Sequence, residues 1–476
     1  MNRTLFNKVL QHPFFKTGLI GLVICYALFT QFYRLGEPAI IQWDESRLAV
    51  NAAEMSKSGK LLVTTYEGEP DLFNTKPPLM IWLQALSIHC FGITEWAVRF
   101  PSALAGFLLI LVCGYFVWRK TKNEIAVVLG MLILITCDGL IQLHGSITGD
   151  FDALLTLFLV AAFFSLEHYG EHKGRKSLLW FAVFTAAALM TKSAAALLFY
   201  PVFGCLFLMH GGIKNIKPAC LTLGLALLPM ALFFIAREQA APGYLKAIWQ
   251  NDFGGRFLRE KDGHEGQWYY YIEHLFNLRF SVFIWLLPVT MIYGFIKKHS
   301  LLNRLSVVII VFLFFVSAAQ TKLEWYDIPA LPFIALHLGI GLTVLLNDIK
   351  PLLLKGIGIV AVMIMLVQSL VVKFNFTYSH KGMRLAFYLY EMSGVIKAWS
   401  GPEPLYYYNG GYDAWLYFYT IQKDNIHRCD LRKLKKDDII VIENNTIDSF
   451  RNISHFKTLD SLEHVRTIRI TDTEKH

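Results

Sequence analysis

Asp44, Asp150 and Asp152, with Arg47, Lys76, Lys192, Arg256 and Lys322, all stand at or near the ends of long apolar runs. An acid among many cations suits a base working beside a phosphate or pyrophosphate leaving group, whose developing charge the cations stabilise. In "WDESRLAVNAAEM" Asp44 reads as a helix N-cap with Glu45 in the first turn, both favoured by unsatisfied N–H groups and the helix dipole. Arg47, one turn later, can orient that acid. "FNTKPPL" brings Lys76 to the start of an apolar segment, where a lysine can also simply snorkel. In "HGSITGDFDALLTLF", Asp150 and Asp152 sit where a loop enters an apolar run, so capping is the structural account. Two carboxylates at a membrane boundary are nevertheless expensive unless paired or hydrated.

Lys192 lies between two apolar runs with almost no loop around it. The longest polar connection, 237 to 278, offers Arg256 and His264 to an anion, while its "WYYYIEHLF" reads as an interfacial aromatic belt. "QTKLEWYDIPALP" adds Lys322, Trp325 and Tyr326. Capping explains any one of these connections. Its coincidence in all five is the less economical account, and a shared site the better one.

The elements that must position these residues are membrane spans. The 476 residues are 55% hydrophobic and only 17% charged, with a mean hydropathy of +0.43; soluble domains carry roughly 25% charge. About eleven apolar runs approach the length needed to cross about 30 Å of hydrocarbon: 17–33, 96–118, 125–143, 153–168, 177–190, 194–210, 217–236, 279–296, 304–319, 327–346 and 352–373. The run 79–91 is shorter, contains Gln84 and His89, and reads as interfacial or re-entrant. The net charge of +9 comes in short clusters between these runs, a topology signal rather than a nucleic-acid-binding face. The basic connections "RKTKNE", "HYGEHKGRK", "GGIKNIK" and "IKKHSLLNR" alternate with the acid-bearing ones. By the positive-inside rule the former are cytoplasmic and the latter external. The basic start and the first apolar run resemble a signal peptide, but no A-x-A cleavage site follows, so the run is read as a retained span.

Seven cysteines show neither CxxC spacing nor paired placement, and six fall in or beside apolar segments, where free cysteine behaves as a small hydrophobe. No disulfide framework and no metal site is read from them. From about 374 the charge rises, and "EPLYYYN", "DIIVIEN" and "HVRTIRI" read as short strands. The expected fold is mainly α: a transmembrane helical bundle over 1–373 with external loops 34–78 and 237–278, followed by a small external α/β domain over 374–476.

The order W-D-E-x-R-x-A, F-x-x-K-P-P-L, G-D-F-D-A-L-L, T-K-S and T-K-L-x-W-Y-x-x-P-x-x-P resembles the GT-C membrane glycosyltransferases. It is similar in particular to the bacterial branch related to protein O-mannosyltransferases and lipid A aminoarabinose transferases, over roughly residues 15–375. The resemblance implies transfer of a sugar from a polyprenyl-phosphate donor, with inversion, to a lipid A-like glycolipid, another glycan or a protein. The place implied is the external face of a bacterial inner membrane, with membrane lipids, donor and acceptor as the partners. Asp44 matches the family's first-loop aspartate, and Asp152 its second-loop aspartate better than Asp150 does. These two are the expected catalytic residues. Glu45, Arg47, Lys76, Asp150, Lys192, Arg256, His264, Lys322 and Tyr326 are the expected substrate and donor-phosphate residues. No cofactor is implied beyond the lipid-linked sugar as co-substrate, and carboxylates alone do not decide for or against a divalent metal.

The chain also departs from that pattern. Asn74 and Thr75 precede Lys76 where the aminoarabinose branch has a glutamate just before its K-P, the arginine ahead of the second aspartate is missing, and Glu324 replaces a proline. These changes argue against carrying the aminoarabinose substrate over unchanged. The rival class is a transporter or flippase of a lipid-linked sugar. Transporters tend to show inverted repeats and charges at the bilayer midplane; here the charges gather at one boundary and no repeat is visible.

Overall fold

The computed structural model describes residues 13–257, 259, 263–280, 282–379, 387–451 and 454–473. Among them, seven helices are long and apolar enough to cross a bilayer: Glu95–Thr121, Asp152–His172, Ser193–Gly211, Ile213–Ala240, Ser300–Ala318, Glu324–Asp348 and Leu352–Ser379. Shorter apolar helices cover Thr17–Phe32, Leu79–Phe91, Glu124–Thr136 and Phe283–Ile296, and Arg175–Thr191 is helical as well. The protein is a multi-pass membrane protein. The run expected as a span over 125–143 is helical only to Thr136. There Cys137 turns extended (φ −66°, ψ 142°), and Gly139 follows in the left-handed region (φ 117°).

The chain divides into two compact units. The first comprises residues 1–33, 75–80 and 101–379, the second 34–74, 81–100 and 380–476.

In unit 1 the helix Leu331–Asp348 is buried along most of its length, while Leu352–Ser379 shows exposed apolar side chains such as Leu353, Ile364 and Val371. A helix that is apolar all round belongs either in a core or against lipid, and these two are one of each. The buried one approaches Glu124–Thr136 through paired glycines: a Cβ on Gly339 would lie 2.6 Å from the Gly130 nitrogen. Close backbone approach through small residues is how membrane helices gain packing energy when lipid offers no hydrophobic drive. The buried carboxylate of Glu167 is paired. Arg304 grips both oxygens of Glu167 at 2.8 and 3.0 Å, and His210 sits 2.9 Å from the same carboxylate.

Unit 2 contains a five-stranded sheet in the order β4-β3-β5-β7-β6. The strands are β3 (Leu405–Tyr408), β4 (Ile426–Arg428), β5 (Ile439–Glu443), β6 (Ser454–Ser461) and β7 (Val465–Thr473), after a small hairpin of β1 (Thr65–Tyr66) and β2 (Glu69–Pro70). β3 runs parallel to both β4 and β5, and β7 antiparallel to β5 and β6. Ile440, Ile442, Ile468, Ile470 and Phe450 form a core on one face of this sheet. The helix Asp44–Ser58 and residues 81–100 belong to the same unit.

Candidate functional site

Unit 1 encloses a cavity of about 350 Å³. Its walls are apolar, with Leu197, Leu198, Pro201, Phe312, Phe315 and Val316, and its polar groups are few: Lys76, Asp152, Lys192, Ser193, Asp252 and Tyr326. Each lysine holds a carboxylate. Lys192 Nζ lies 2.8 and 2.9 Å from the two oxygens of Asp152, and 5.5 Å from the centroid of the Tyr326 ring. Lys76 Nζ lies 3.1 Å from Asp252, which also accepts from the Thr75 hydroxyl at 2.6 Å.

Local structure explains these placements. The helix Asp152–His172 begins at Asp152 itself, after Phe151, with no side-chain cap. The capping account of Asp152 therefore gives way, since its carboxylate turns to Lys192. Lys192 stands at a break (φ −152°, ψ 83°) between Arg175–Thr191 and Ser193–Leu197, so the near-absence of a loop reflects one continuous apolar path interrupted at the lysine. Lys76 is fixed through its neighbour, because the Tyr244 hydroxyl donates to the Thr75 carbonyl at 2.9 Å. Tyr326 lies in a short 3-10 segment, Glu324–Ala330, anchored by buried Asp327. That carboxylate accepts from Arg279 at 2.9 to 3.2 Å and lies 3.0 Å from His274 Nδ1.

Asp150 is buried beside this start of helix. It accepts from the Thr148 hydroxyl at 2.6 Å, and His144 Nδ1 lies 3.5 Å away. Burial disfavours its charge, but His144, Thr148 and Lys192 outweigh that and hold its carboxyl below the usual range. His144 in turn stacks on Trp325 with centroids 3.6 Å apart and has a left-handed backbone (φ 60°).

Lys322 and His264, also expected from the sequence, are not among the residues that line the cavity. Lys322 is buried and donates to the carbonyls of Ser317 and Ala319, closing the end of the helix Ser300–Ala318, and burial pushes its pKa down. His264 is exposed, and its carbonyl accepts from the Lys322 N–H at 2.9 Å. The Arg256 side chain lies outside the described residues.

In unit 2, Asp44 is the first residue of its helix and not its cap. The cap position is Trp43, which makes no side-chain cap bond and holds φ 75°, ψ −112°. A bulky residue in that region carries backbone strain, which persists only where the surroundings enforce it. The enforcing contacts are at hand. Glu45 is buried against Arg99 at 2.7 and 2.9 Å and accepts from the Ile41 N–H at 2.7 Å. Arg99 also donates to the carbonyls of Leu35, Pro38 and Ala39, tying down the loop ahead of Asp44. Arg47 makes a two-pronged pair with Asp71, 2.8 Å at each contact, and lies 3.6 Å over the Tyr66 ring. Glu45 and Arg47 thus brace the segment that carries half-buried Asp44.

Sequence reasoning missed Asp252, Arg99, Asp71 and the Arg279–Asp327–His274 group. Arg99 had a visible signal, a lone arginine in the apolar run 96–118. Asp252 had none: its partner is 176 positions away.

Comparisons with known proteins agree with this architecture. Residues 75–235 match the family model of dolichyl-phosphate-mannose-protein mannosyltransferases. The chain is 26% identical, over 71% of its length, to an undecaprenyl phosphate-alpha-4-amino-4-deoxy-L-arabinose arabinosyl transferase of Enterobacter sp., and over 74% to the Yersinia pestis enzyme of the same name. It spans only 61% and 64% of those relatives' own lengths. The crystal structure of ArnT from Cupriavidus metallidurans bound to undecaprenyl phosphate superposes with a TM-score of 0.66 at 15% identity, covering 95% of this chain and 98% of that one. The Archaeoglobus fulgidus oligosaccharyltransferase superposes with a TM-score of 0.56 at 9% identity, over 97% of this chain and 74% of that one. The chain is therefore a membrane protein of the GT-C fold, similar in sequence to the bacterial aminoarabinose transferases.

Proposed function

We propose that the protein is a glycosyltransferase that takes a sugar from a polyprenyl-phosphate donor and transfers it, with inversion, to an acceptor at the external face of a bacterial inner membrane. The observation that carries this reading is the unit 1 cavity, with apolar walls for a lipid and two ammonium groups for its phosphate. Outside the cytoplasm nucleotide sugars are normally absent, so a donor that arrives through the bilayer meets the need.

In this reading the acceptor oxygen attacks the anomeric carbon as the bond to the phosphate breaks. The electron pair leaves on the phosphate oxygen, where Lys76 and Lys192 meet the charge and Tyr326 flanks them. Asp152 and Asp252 hold the two ammonium groups in place. Asp44 orients the acceptor hydroxyl and accepts its proton; where the acceptor is itself an ionised phosphate, Asp44 positions only. Glu45, Arg47, Asp150 and Lys322 act through the segments they hold, and Arg256 and His264 are proposed as contacts for an anionic group of a substrate. The resemblance to enzymes named for undecaprenyl-phosphate aminoarabinose supports a lipid-linked donor.

The test is transfer by purified full-length protein in detergent, with radiolabelled polyprenyl-phosphate sugars and a membrane extract as acceptor. Asp44→Asn should fold normally and lose about 10²- to 10⁴-fold in turnover, the usual range for a general base. Undiminished turnover by the variant would remove Asp44 from the mechanism. No transfer with any donor, together with lipid-dependent uptake into vesicles, would replace the enzyme with a transporter.

A further inference from the structure

A second cavity, of about 470 Å³, is lined wholly by residues of unit 2. It lies at the carboxyl ends of the parallel strands β3 and β4, against Tyr407, Tyr408, Arg428 and the connection Asn409–Asp413 that leaves β3. Ligands of open α/β sheets sit outside the carboxyl ends of the parallel strands, the end at which this cavity lies.

The two glycines of this connection differ. Gly410 has φ 68°, which asks for glycine. Gly411 has no such requirement, and a Cβ there would meet nothing within 4 Å. Neither backbone strain nor packing accounts for the second glycine. It leaves the cavity open.

The lining also indicates what enters. Both arginines are already matched by acids: Arg47 by Asp71 at 2.8 Å, Arg428 by Asp413 and by Glu67 at 3.0 Å. The cavity is thus close to electrically neutral, unlike a phosphate pocket. What it offers is aromatic surface from Tyr408 and from Tyr412, which stacks on Trp43 through one face, beside planar hydrogen-bonding groups, the amide of Asn409 and the two guanidiniums, that of Arg47 lying over Tyr66. Flat aromatic faces suit the C–H faces of a sugar ring, and placed polar groups suit its hydroxyls. We propose that this cavity binds a neutral carbohydrate ring. The inference goes beyond the transferase reading and does not rest on it, since sugar binding here needs neither donor nor transfer.

The experiment is saturation-transfer NMR on the full-length protein in detergent, with glucose, galactose, mannose and N-acetylglucosamine as probes. At least one sugar should receive saturation through its ring protons, and inorganic phosphate should not displace it. Gly411→Trp, which fills the opening without meeting a neighbour at its Cβ, should abolish the effect with the unfolding temperature unchanged. Asn409→Ala, whose amide braces the connection by donating to the Tyr412 carbonyl at 3.1 Å, should weaken binding about tenfold, close to 1.4 kcal/mol. It decides the matter should Gly411→Trp unfold. Lys192→Met should bind the sugar as wild type does, which separates this site from the donor cavity. No saturation with any sugar, displacement by phosphate, or full binding by both unit 2 variants would overturn the proposal.

Discussion

An ammonium in a cavity walled by Phe312, Phe315 and Val316 costs less beside an opposite charge, and Asp152 and Asp252 supply that charge to Lys192 and Lys76. Each ammonium has further N–H donors beyond those it gives its carboxylate, which in the proposed function a donor phosphate accepts. Lys192→Met should weaken binding of a polyprenyl phosphate by about 10- to 100-fold, the range of a charge-assisted hydrogen bond, measured by displacement of a labelled lipid phosphate. Unchanged affinity would take Lys192 out of the phosphate site. At this scale the sequence showed the whole of one pair and half of the other: both lysines and Asp152 stood out because charge next to an apolar run is costly. Asp252 did not, because a carboxylate in a long polar connection looks like any solvated acid until the fold brings Lys76 to it.

At the scale of elements, the segment before and after Asp44 is held by two ion pairs of different kinds. The Arg99–Glu45 pair is buried, so removing one partner strands the other charge. Arg99→Met should destabilise unit 2 by about 3–5 kcal/mol, while Arg99→Met with Glu45→Met should recover most of that loss in thermal unfolding; equal loss in both would place the arginine's value in its carbonyl contacts instead. The Arg47–Asp71 pair predicts a pH effect. Burial disfavours the Asp71 charge, but Arg47, Asn51 and the Phe73 N–H outweigh it and hold its carboxyl below the ordinary carboxylate range. A folded-state pKa below the unfolded one gives stabilisation that is complete above about 3.9, the unfolded value, and is lost as pH falls through the lower folded value. The unfolding temperature of wild type should therefore fall more steeply than that of Asp71→Asn as pH drops from 5 toward 3, and parallel curves would count against the pair. The sequence showed β3 and β7 through their apolar alternation and β5 through its short continuous apolar run. It did not show β4, three residues long, or β6, whose side chains are mostly exposed and so carry no such pattern.

For the whole molecule, apolar length fixed most spans, because a helix must satisfy its own backbone in hydrocarbon. Where it failed, at 137–143, a left-handed glycine and Asp138 end the helix early, and the Asp138 N–H bonds the Arg279 carbonyl at 2.6 Å instead of a helical partner. Side of the membrane is a separate matter, carried by charge between the spans and not by the spans themselves. The connections holding Arg119, Lys120, Lys214, Lys217, Lys297 and Arg304 carry the basic excess, and those holding Asp44, Asp150 and Lys322 do not. Under the proposed orientation, which follows positive-inside bias, the former face the cytoplasm. Alkaline phosphatase fused after His476 should be active, since that enzyme folds only outside the cytoplasm, and a fusion at Lys214 should be inactive, with green fluorescent protein at the same two sites giving the opposite result. Were both signals reversed, the acids and lysines would face the compartment that contains nucleotide sugars, and the argument for a lipid-linked donor from the compartment would fail while the cavity's own chemistry stood.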